Sequence, residues 1–348
     1  MNRTAAAICR YLAEFYDESD FSVLKLQIDR WGNEAASPLS GRKILDGTPI
    51  FRNTMLKYCA LIAAGAELTV SVGDGIPCDP AIVAILPRFG IRVADRAALT
   101  ETFDAVSDCG GRHRQVASRT GYVELTRTGL DYYRECRRPV LDVDSSAFKD
   151  FETAYGTGDG FVRAMRQAGY GDFAGRNIVV FGGGKVGLGV AGRSLRAGAA
   201  VTVIDLKRPE LLNAEIRFIP AAAANEVRVA LSDAWCVVSA TGVPGALAGW
   251  ADDLAAGNAL IANMGVEDEF SPRLPAERVM NGKTPLNFIL DEPTRMCFIA
   301  PVMAAANQGM RRLLSGPPLP PGLQDLPPDV SLEMLLDLAE VGIDPDHV

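Results

Sequence analysis

The sequence predicts an α/β protein with two domains: a Rossmann-type parallel sheet for a cofactor and a discontinuous α/β domain for a substrate. The chain has 348 residues, enough for about two domains. Helix, glycine and strand units follow one another in its first third. Residues 175–205 (GRNIVVFGGGKVGLGVAGRSLRAGAAVTVID) then place a glycine-rich turn between an apolar strand and a helix, and end a second strand on an acid.

The elements of the first domain can be read from glycine breaks and apolar spacing. Residues 1–36 are predicted to be helical up to the break at Gly32 and Asn33. Residues 55–72 read as a helix, a stop at Gly65 and a strand, and residues 79–94 repeat that pattern. A short strand follows Phe103 and ends at the turn of Gly110 and Gly111.

The second half adds strands, a helix and a proline-rich tail. Strands are predicted at 214–219, 235–240, 259–263 and 286–290, a helix at 298–315, and a short helix at 331–341. Prolines after Gly316 predict an extended strap over the surface. We therefore predict a discontinuous substrate domain (1–165 and 298–315), a cofactor domain (166–297) and a tail (316–348), with substrate bound in a cleft between the domains.

Composition excludes several classes of function. The net charge of −8 argues against nucleic acid or anionic membrane as the main partner, and no apolar run approaches a membrane span. The N-terminus lacks the apolar core of a signal peptide, so we expect a cytoplasmic protein. The seven cysteines form no CxxC pair and only two histidines exist, which predicts thiols in a reducing compartment and no metal site.

The glycine-rich turn predicts a dinucleotide site. Gly182 allows the sharp turn, Gly184 lets backbone approach a pyrophosphate, and Gly187 lets helix and strand pack closely. Lys185 and Val186, between Gly184 and Gly187, begin the helix and are also predicted to contact the cofactor. Asp205 is placed to bind an adenosine ribose and to repel a 2′-phosphate, so NAD is favoured over NADP, although Lys207 and Arg208 could still meet such a phosphate.

Several segments in order resemble S-adenosylhomocysteine hydrolase over roughly residues 40–315. They are the segments 120–135 and 142–165, the dinucleotide turn, and the later turns SATG (239–242) and ANMG (262–265). The resemblance implies tightly held NAD, oxidation of a ribose 3′-hydroxyl, elimination of homocysteine and a homo-oligomer. Beyond the dinucleotide turn, it implies these residues near the cofactor: Thr126, Thr128, Thr153, Thr241, Gly242, Asn263 and Gly265.

The chain departs from that family where acids and bases are needed. Arg52 and Val266 stand where the family has histidines, Phe148 where it has a lysine, Glu152 where it has an aspartate, and Cys109 where it has another. The lysine and tyrosine of the family's C-terminal tail are absent. These departures argue against ribose elimination, which needs several positioned acids and bases.

Candidate catalytic residues remain. Lys149 and Glu152 share a helical face if their segment is helical, either as a proton-transfer pair or as a surface ion pair. Asp108 and His113 flank the turn at a strand end, where α/β proteins bind ligands. Asp108 is a candidate for substrate binding, and the histidine is either a proton shuttle or an exposed loop residue. Glu124 lies one position from a catalytic glutamate of the family.

Charged residues nearby could also bind a substrate. Arg52 could grip an anionic substrate group, whereas Lys57 reads as a surface charge. The acidic run VEDEF (266–270) reads as a solvated face, unless Glu267 or Asp268 contacts a ligand amine.

The sequence thus predicts an NAD-dependent oxidoreductase. It would transfer hydride between nicotinamide and a secondary alcohol or amine, or the matching carbonyl or imine, of a small polar substrate. The alternatives are hydrolase activity on a nucleoside thioether and a non-catalytic, NAD-binding regulatory subunit.

Overall fold

The structure, a computed structural model, describes residues 3–33, 37–72, 77–95 and 97–343. The chain divides into two compact units. Unit 1 comprises Met1–Phe151 and Met296–Val348, and unit 2 comprises Glu152–Arg295. Each unit is built on its own parallel sheet, which confirms the predicted α/β fold with a Rossmann-type domain.

The regular elements are numbered along the chain. The strands are β1 (Lys43–Asp46), β2 (Glu67–Val70), β3 (Arg92–Val93), β4 (Phe103–Asp108), β5 (Ser118–Glu124), β6 (Pro139–Asp142), β7 (Asn177–Phe181), β8 (Ala200–Asp205), β9 (Arg217–Pro220), β10 (Cys236–Ser239), β11 (Leu260–Asn263) and β12 (Gly322–Asp325). The α-helices are α1 (Arg3–Leu12), α2 (Ser22–Asn33), α3 (Thr54–Ala63), α4 (Pro80–Ile85), α5 (Arg127–Tyr133), α6 (Ala147–Phe151), α7 (Thr157–Gln167), α8 (Lys185–Arg196), α9 (Ala224–Ser232), α10 (Ala251–Ala256), α11 (Met296–Ser315) and α12 (Pro328–Glu340). A π-helical turn, Glu152–Gly156, follows α6.

Unit 1 holds a seven-stranded sheet in the order β12-β6-β5-β4-β1-β2-β3, with every neighbouring pair parallel. Its strands are short apolar runs because both faces of such a sheet are covered. Helix α3 is buried at all of its positions and α11 at most of its own. These two helices pack on each other and on α2, and α11 also covers β5.

Unit 2 holds a five-stranded parallel sheet in the order β11-β10-β7-β8-β9. Apolar residues of β7, β8, α7 and α8 form the core on one face. Those of β9, β10 and α9 form the core on the other. Close packing of α7 on α8 depends on glycine, because a Cβ at Gly158 would lie 2.3 Å from the carbonyl oxygen of Gly189.

Two predicted elements differ in the structure. The strand predicted at 286–290 is wrong, since Leu286–Ile289 forms a 3₁₀ turn. Pro285 precedes it, and Leu286 and Asn287 are buried beside α7 instead of in a sheet. The tail is not only a strap, because β12 pairs in parallel with β6 and becomes the edge strand of unit 1.

Candidate active site

The carboxyl edge of the sheet in unit 2 has a topological switch point between β7 and β10. The chain runs from β7 through β8 to β9 on one side and from β10 to β11 on the other. In the sheet register Asn263 lies beside Ser239, and Ser239 beside Phe181, so the three following turns meet at one edge. Open α/β sheets bind ligands in the crevice at such a point.

Gly182, Gly184 and Gly187 of the glycine-rich turn have different roles at this edge. A Cβ at Gly182, where φ is +100°, would lie 2.3 Å from the oxygen of Ala240, and a Cβ at Gly187 would lie 1.9 Å from the oxygen of Gly182. Both positions therefore serve the packing of the turn. At Gly184, which caps α8 in an extended conformation, a Cβ would meet no atom within 4 Å. The free space at Gly184 fits a group that approaches the first amides of α8.

Asp205 lies against this turn. Its Oδ2 accepts a 2.6 Å hydrogen bond from the Gly183 N–H, and its Oδ1 accepts one from the Leu206 N–H. Asp205 is half-buried at the end of β8, whereas Lys207 and Arg208 are exposed. Lys185, exposed, and Val186, half-buried, form the first turn of α8. The acid and the glycine-rich turn thus lie together at this edge.

A buried glutamate holds the turn after β10. Glu269 has no solvent exposure and accepts hydrogen bonds from the Ser239 hydroxyl, from the N–H and hydroxyl of Thr241, both at 2.7 Å, and from the Gly242 N–H at 2.7 Å. The predicted residues Thr241 and Gly242 are thereby fixed by a residue that sequence reasoning missed. The signal in the sequence was that Glu269 directly precedes an apolar residue, Phe270, which the structure buries.

Asn263 and Gly265 shape the turn after β11. The buried Asn263 side chain donates to the carbonyl oxygens of Glu267 (2.9 Å) and Lys283 (2.7 Å) and accepts from the Gly265 N–H (2.9 Å). A Cβ at Gly265 would lie 1.9 Å from Oε1 of Glu269. Both residues therefore shape the turn at this edge of the sheet. Predicted Thr153 donates to Glu152 at 3.1 Å within the π-helical turn.

Unit 1 has its own switch point, between β1 and β4. The chain runs from β1 through β2 to β3 on one side and from β4 through β5 to β6 on the other. In register, Asp46 lies beside Ser107, and the next residue of β4, Asp108, lies beside Glu124. Acidic residues from three strands thus share this carboxyl edge.

Asp108 and His113 form a buried pair. His113 Nδ1 lies 3.0 Å from Oδ1 of Asp108. The same Oδ1 accepts a 2.8 Å hydrogen bond from the Cys109 N–H, and Oδ2 accepts one of 2.7 Å from the Tyr133 hydroxyl. Burial and the Asp108 charge raise the pKa of Tyr133, so its hydroxyl stays a donor. The alternative of an exposed loop histidine is wrong, because His113 is only 2% exposed and its ring lies against Gly47.

Glu124 is held by the turn that follows β4. Its carboxylate accepts the N–H groups of Gly110 and Gly111, both at 3.0 Å, and the N–H (2.8 Å) and hydroxyl (2.6 Å) of Thr126. Burial, and then the Asp108 charge, raise the pKa of Glu124 to about 7. A carboxyl group with such a pKa can both donate and accept a proton near neutrality.

Thr126 also caps α5, and Thr128 lies in the first turn of that helix. Their place near the cofactor, which the resemblance implies, stays a prediction.

The basic candidates lie in unlike surroundings. The reading of Lys57 as a surface charge is wrong: it is 1% exposed, its Nζ donates to Asp46, and it lies 2.9 Å from the Ser107 hydroxyl. The Arg52 guanidinium lies over the Phe15 ring, 4.1 Å from its centre. Lys149 is half-buried in α6. Burial and the charge of Glu124 raise the pKa of the Cys109 thiol, and the charge of Lys149 opposes that shift.

The described residues contain no group of three or more histidine, cysteine or acidic side chains that could hold a metal ion. No helix among the residues that the structure describes is both long and apolar enough to span a membrane.

Comparison with known proteins agrees with this geometry. Residues 170–276 match a family described as putative NAD(P)-binding, which confirms the predicted class of cofactor. An adenosylhomocysteinase of Thermococcus kodakarensis is 27% identical over 55% of this chain and 52% of its own length. One of a Nostoc species is 28% identical over 59% of this chain and 56% of its own. The chain is a distant relative of the adenosylhomocysteinases.

This relationship confirms the resemblance inferred from the sequence, within limits. The chain spans about half the length of the curated adenosylhomocysteinases that it matches. Among solved structures, a dipicolinate synthase component from Bacillus halodurans is similar with a TM-score of 0.54 and 14% identity, over 80% of this chain and 99% of that one. At that identity the likeness concerns the fold.

Proposed function

We propose that this protein is an NAD-dependent oxidoreductase that acts on a small polar substrate. It would transfer hydride between the nicotinamide and a carbon that bears a secondary alcohol or amine, or the matching carbonyl or imine. The observation that carries the proposal is the free space at Gly184, beside Asp205, in a domain of the NAD(P)-binding class. When bound, the dinucleotide supplies or accepts the hydride.

Asp205 supports NAD as the cofactor. A carboxylate at the end of β8 accepts hydrogen bonds from ribose hydroxyls and repels a 2′-phosphate. The exposed Lys207 and Arg208 lie two and three residues further on, whereas Asp205 is hydrogen-bonded to the glycine turn. Gly182 and Gly187 hold the turn, while Thr241, Gly242, Asn263 and Gly265 form the neighbouring turns of the same edge.

The proton that accompanies the hydride needs an acid or base. We assign that role to Glu124, whose pKa of about 7 suits transfer in both directions, with Asp108 and His113 as the neighbouring pair. Lys149 and Glu152 remain candidates for contact with the substrate, and Arg52 for binding an anionic group. Lys57 belongs to the buried framework of the site.

The cofactor part is tested by calorimetric titration of NAD and NADP into the parent, Gly184→Val and Gly249→Val. Gly249 is the matched control, because a Cβ there also meets no atom within 4 Å. We expect Gly184→Val to bind at least about tenfold more weakly with an unchanged melting temperature, and Gly249→Val to bind like the parent. Equal binding by all three proteins would refute the cofactor site.

The reaction is tested by following nicotinamide absorbance with panels of secondary alcohols, amines and carbonyl compounds. Glu124→Gln should lose turnover while it retains cofactor binding. Release of adenosine and homocysteine from S-adenosylhomocysteine would instead favour the hydrolase alternative, which the relationship to adenosylhomocysteinases supports. A bound cofactor that no substrate reduces would favour a regulatory subunit.

A further inference from the structure

Two thiols from different helices meet in the core of unit 1. Sγ of Cys9 on α1 lies 3.2 Å from Sγ of Cys59 on α3, although the residues are 50 positions apart. Cys59 is buried and lies 3.3 Å from the carbonyl oxygen of Ala5, whereas Cys9 is half-buried. Only one member of the pair is therefore open to a small molecule from outside.

The surroundings make the two thiols chemically unlike. The hydrogen bond with Cys59 lowers the pKa of Cys9 and outweighs burial, and the Lys25 ammonium lowers it further. The same hydrogen bond, together with burial, raises the pKa of Cys59 well above its usual value. Cys9, the less buried of the two, is therefore the thiol that ionises more readily. A thiolate is the form that reacts with oxidants.

We propose that Cys9 and Cys59 are a redox modification site, at which a small hydroperoxide such as hydrogen peroxide forms an intramolecular disulfide. The Cys9 thiolate attacks one peroxide oxygen, the O–O bond breaks, and hydroxide leaves. Cys59 sulfur then attacks the resulting sulfenic acid, the S–O bond breaks, and the departing hydroxide takes the Cys59 proton as water. The first hydroxide takes up the proton that Cys9 released on ionising, so two electrons pass from the sulfurs to hydrogen peroxide, which becomes two molecules of water.

The geometry favours the second step over further oxidation of Cys9. A disulfide needs the two sulfur atoms to approach by only about 1 Å from their present separation. Cys59 already contacts Cys9, so the sulfenic acid has a thiol partner before a second peroxide can reach it. The bond would fix α1 to α3, the helix that also supplies the buried Lys57. It would close a long loop of the unfolded chain and raise the melting temperature.

The site is tested by exposing the full-length protein to hydrogen peroxide and mapping peptides under non-reducing conditions. We expect a peptide linking Cys9 to Cys59, a fall in titratable thiols of the denatured chain from seven to five, and a melting temperature several degrees higher. A reducing agent should reverse all three changes. Cys297→Ser, which alters an exposed cysteine, is the matched control and should behave like the parent.

Cys9→Ser tests the roles without disturbing the buried cysteine. We expect this variant to fold, to leave Cys59 unmodified at the same peroxide concentration, and to show no rise in melting temperature. Conversion of Cys9 to sulfinic acid with Cys59 still reduced would overturn the proposal. So would a disulfide that links other cysteines or two chains, or oxidation of Cys297 before Cys9.

Discussion

At the carboxyl edge of each of the two sheets, a buried glutamate accepts hydrogen bonds from backbone amides of a loop. In unit 1, Glu124 accepts the amides of Gly110 and Gly111, and in unit 2, Glu269 accepts those of Thr241 and Gly242. In each case an internal carboxylate accepts hydrogen bonds from backbone amides of the loop, which would otherwise have fewer partners.

The edges differ in the space that they leave. At Gly47 and Gly129 of unit 1, a Cβ would lie within 2.3 Å of the side chains of His113 and Glu124 respectively. At Gly184 of unit 2, it would meet nothing. We infer that the edge of unit 2 is kept open for an external anion, whereas that of unit 1 is occupied by its own ionisable groups. Such groups suit proton transfer better than phosphate binding.

We expect the largest effect when the buried ion pair of Lys57 and Asp46 in unit 1 is broken. Lys57→Met leaves the fully buried Asp46 without its cation, and such a loss costs about 3–5 kcal/mol. Lys57→Met with Asp46→Asn removes both charges, keeps an oxygen to accept the N–H and hydroxyl of the buried Thr48, and should recover most of that stability. Urea unfolding followed by Trp31 fluorescence, in a chain with Trp235 and Trp250 replaced by Phe, measures unit 1 alone. A double variant as unstable as the single one would contradict this view.

In unit 2 the comparable change is Glu269→Ala. It strands the buried Ser239 hydroxyl and the amides of Thr241 and Gly242, and we expect a loss of about 3 kcal/mol. Trp235 fluorescence during urea unfolding reports the change. Glu267→Ala, in the same acidic run but half-buried, is the control and should lose less than about 0.5 kcal/mol. Equal losses would mean that Glu269 has no special position.

These residues show how far the sequence could be interpreted. Gly182, Gly184 and Gly187 were recognisable because each requirement, a sharp turn, an open approach and close packing, acts within a few positions. Lys57 was misread because its partner Ser107 is 50 positions away and every face of α3 is buried, which helical spacing does not reveal. The run 286–290 was misread because a short apolar segment has no period that separates a strand from another buried turn.

The same limit applies to partners on distant strands. Glu269 is the last of three consecutive acids, after Glu267 and Asp268, so the sequence does not single it out. Only the fold brings it into contact with the turn after β10. β12 pairs with β6, which lies more than half of the chain away, and the prolines on either side of β12 indicated only that no regular helix forms there. Local sterics could thus be predicted, whereas long-range pairing could not.

The next effect is a pH dependence specific to unit 1. The folded state raises the pKa of Glu124 from 4.5 to about 7, so folding favours its protonated form. This contribution is fully present below pH 4.5 and is lost as pH rises through 7, by at most about 3 kcal/mol.

Comparison with Glu124→Gln, which mimics the protonated form at every pH, isolates that contribution. The stability of the parent relative to this variant should fall between pH 4.5 and 7. Urea unfolding across that range, followed by Trp31, measures the fall. A difference that does not change with pH would show that Glu124 is ionised throughout.

The smallest effect concerns the choice of cofactor in unit 2. Asp205→Asn removes the charge that repels a 2′-phosphate but keeps an oxygen to accept the Gly183 N–H. We expect the ratio of NADP to NAD affinity to rise about tenfold, or about 1.4 kcal/mol. Glu210→Gln removes an exposed acid five positions further on and controls for general charge. If both variants shift the calorimetric ratio equally, the preference arises from the overall field around Lys207 and Arg208 and not from contact between Asp205 and the ribose.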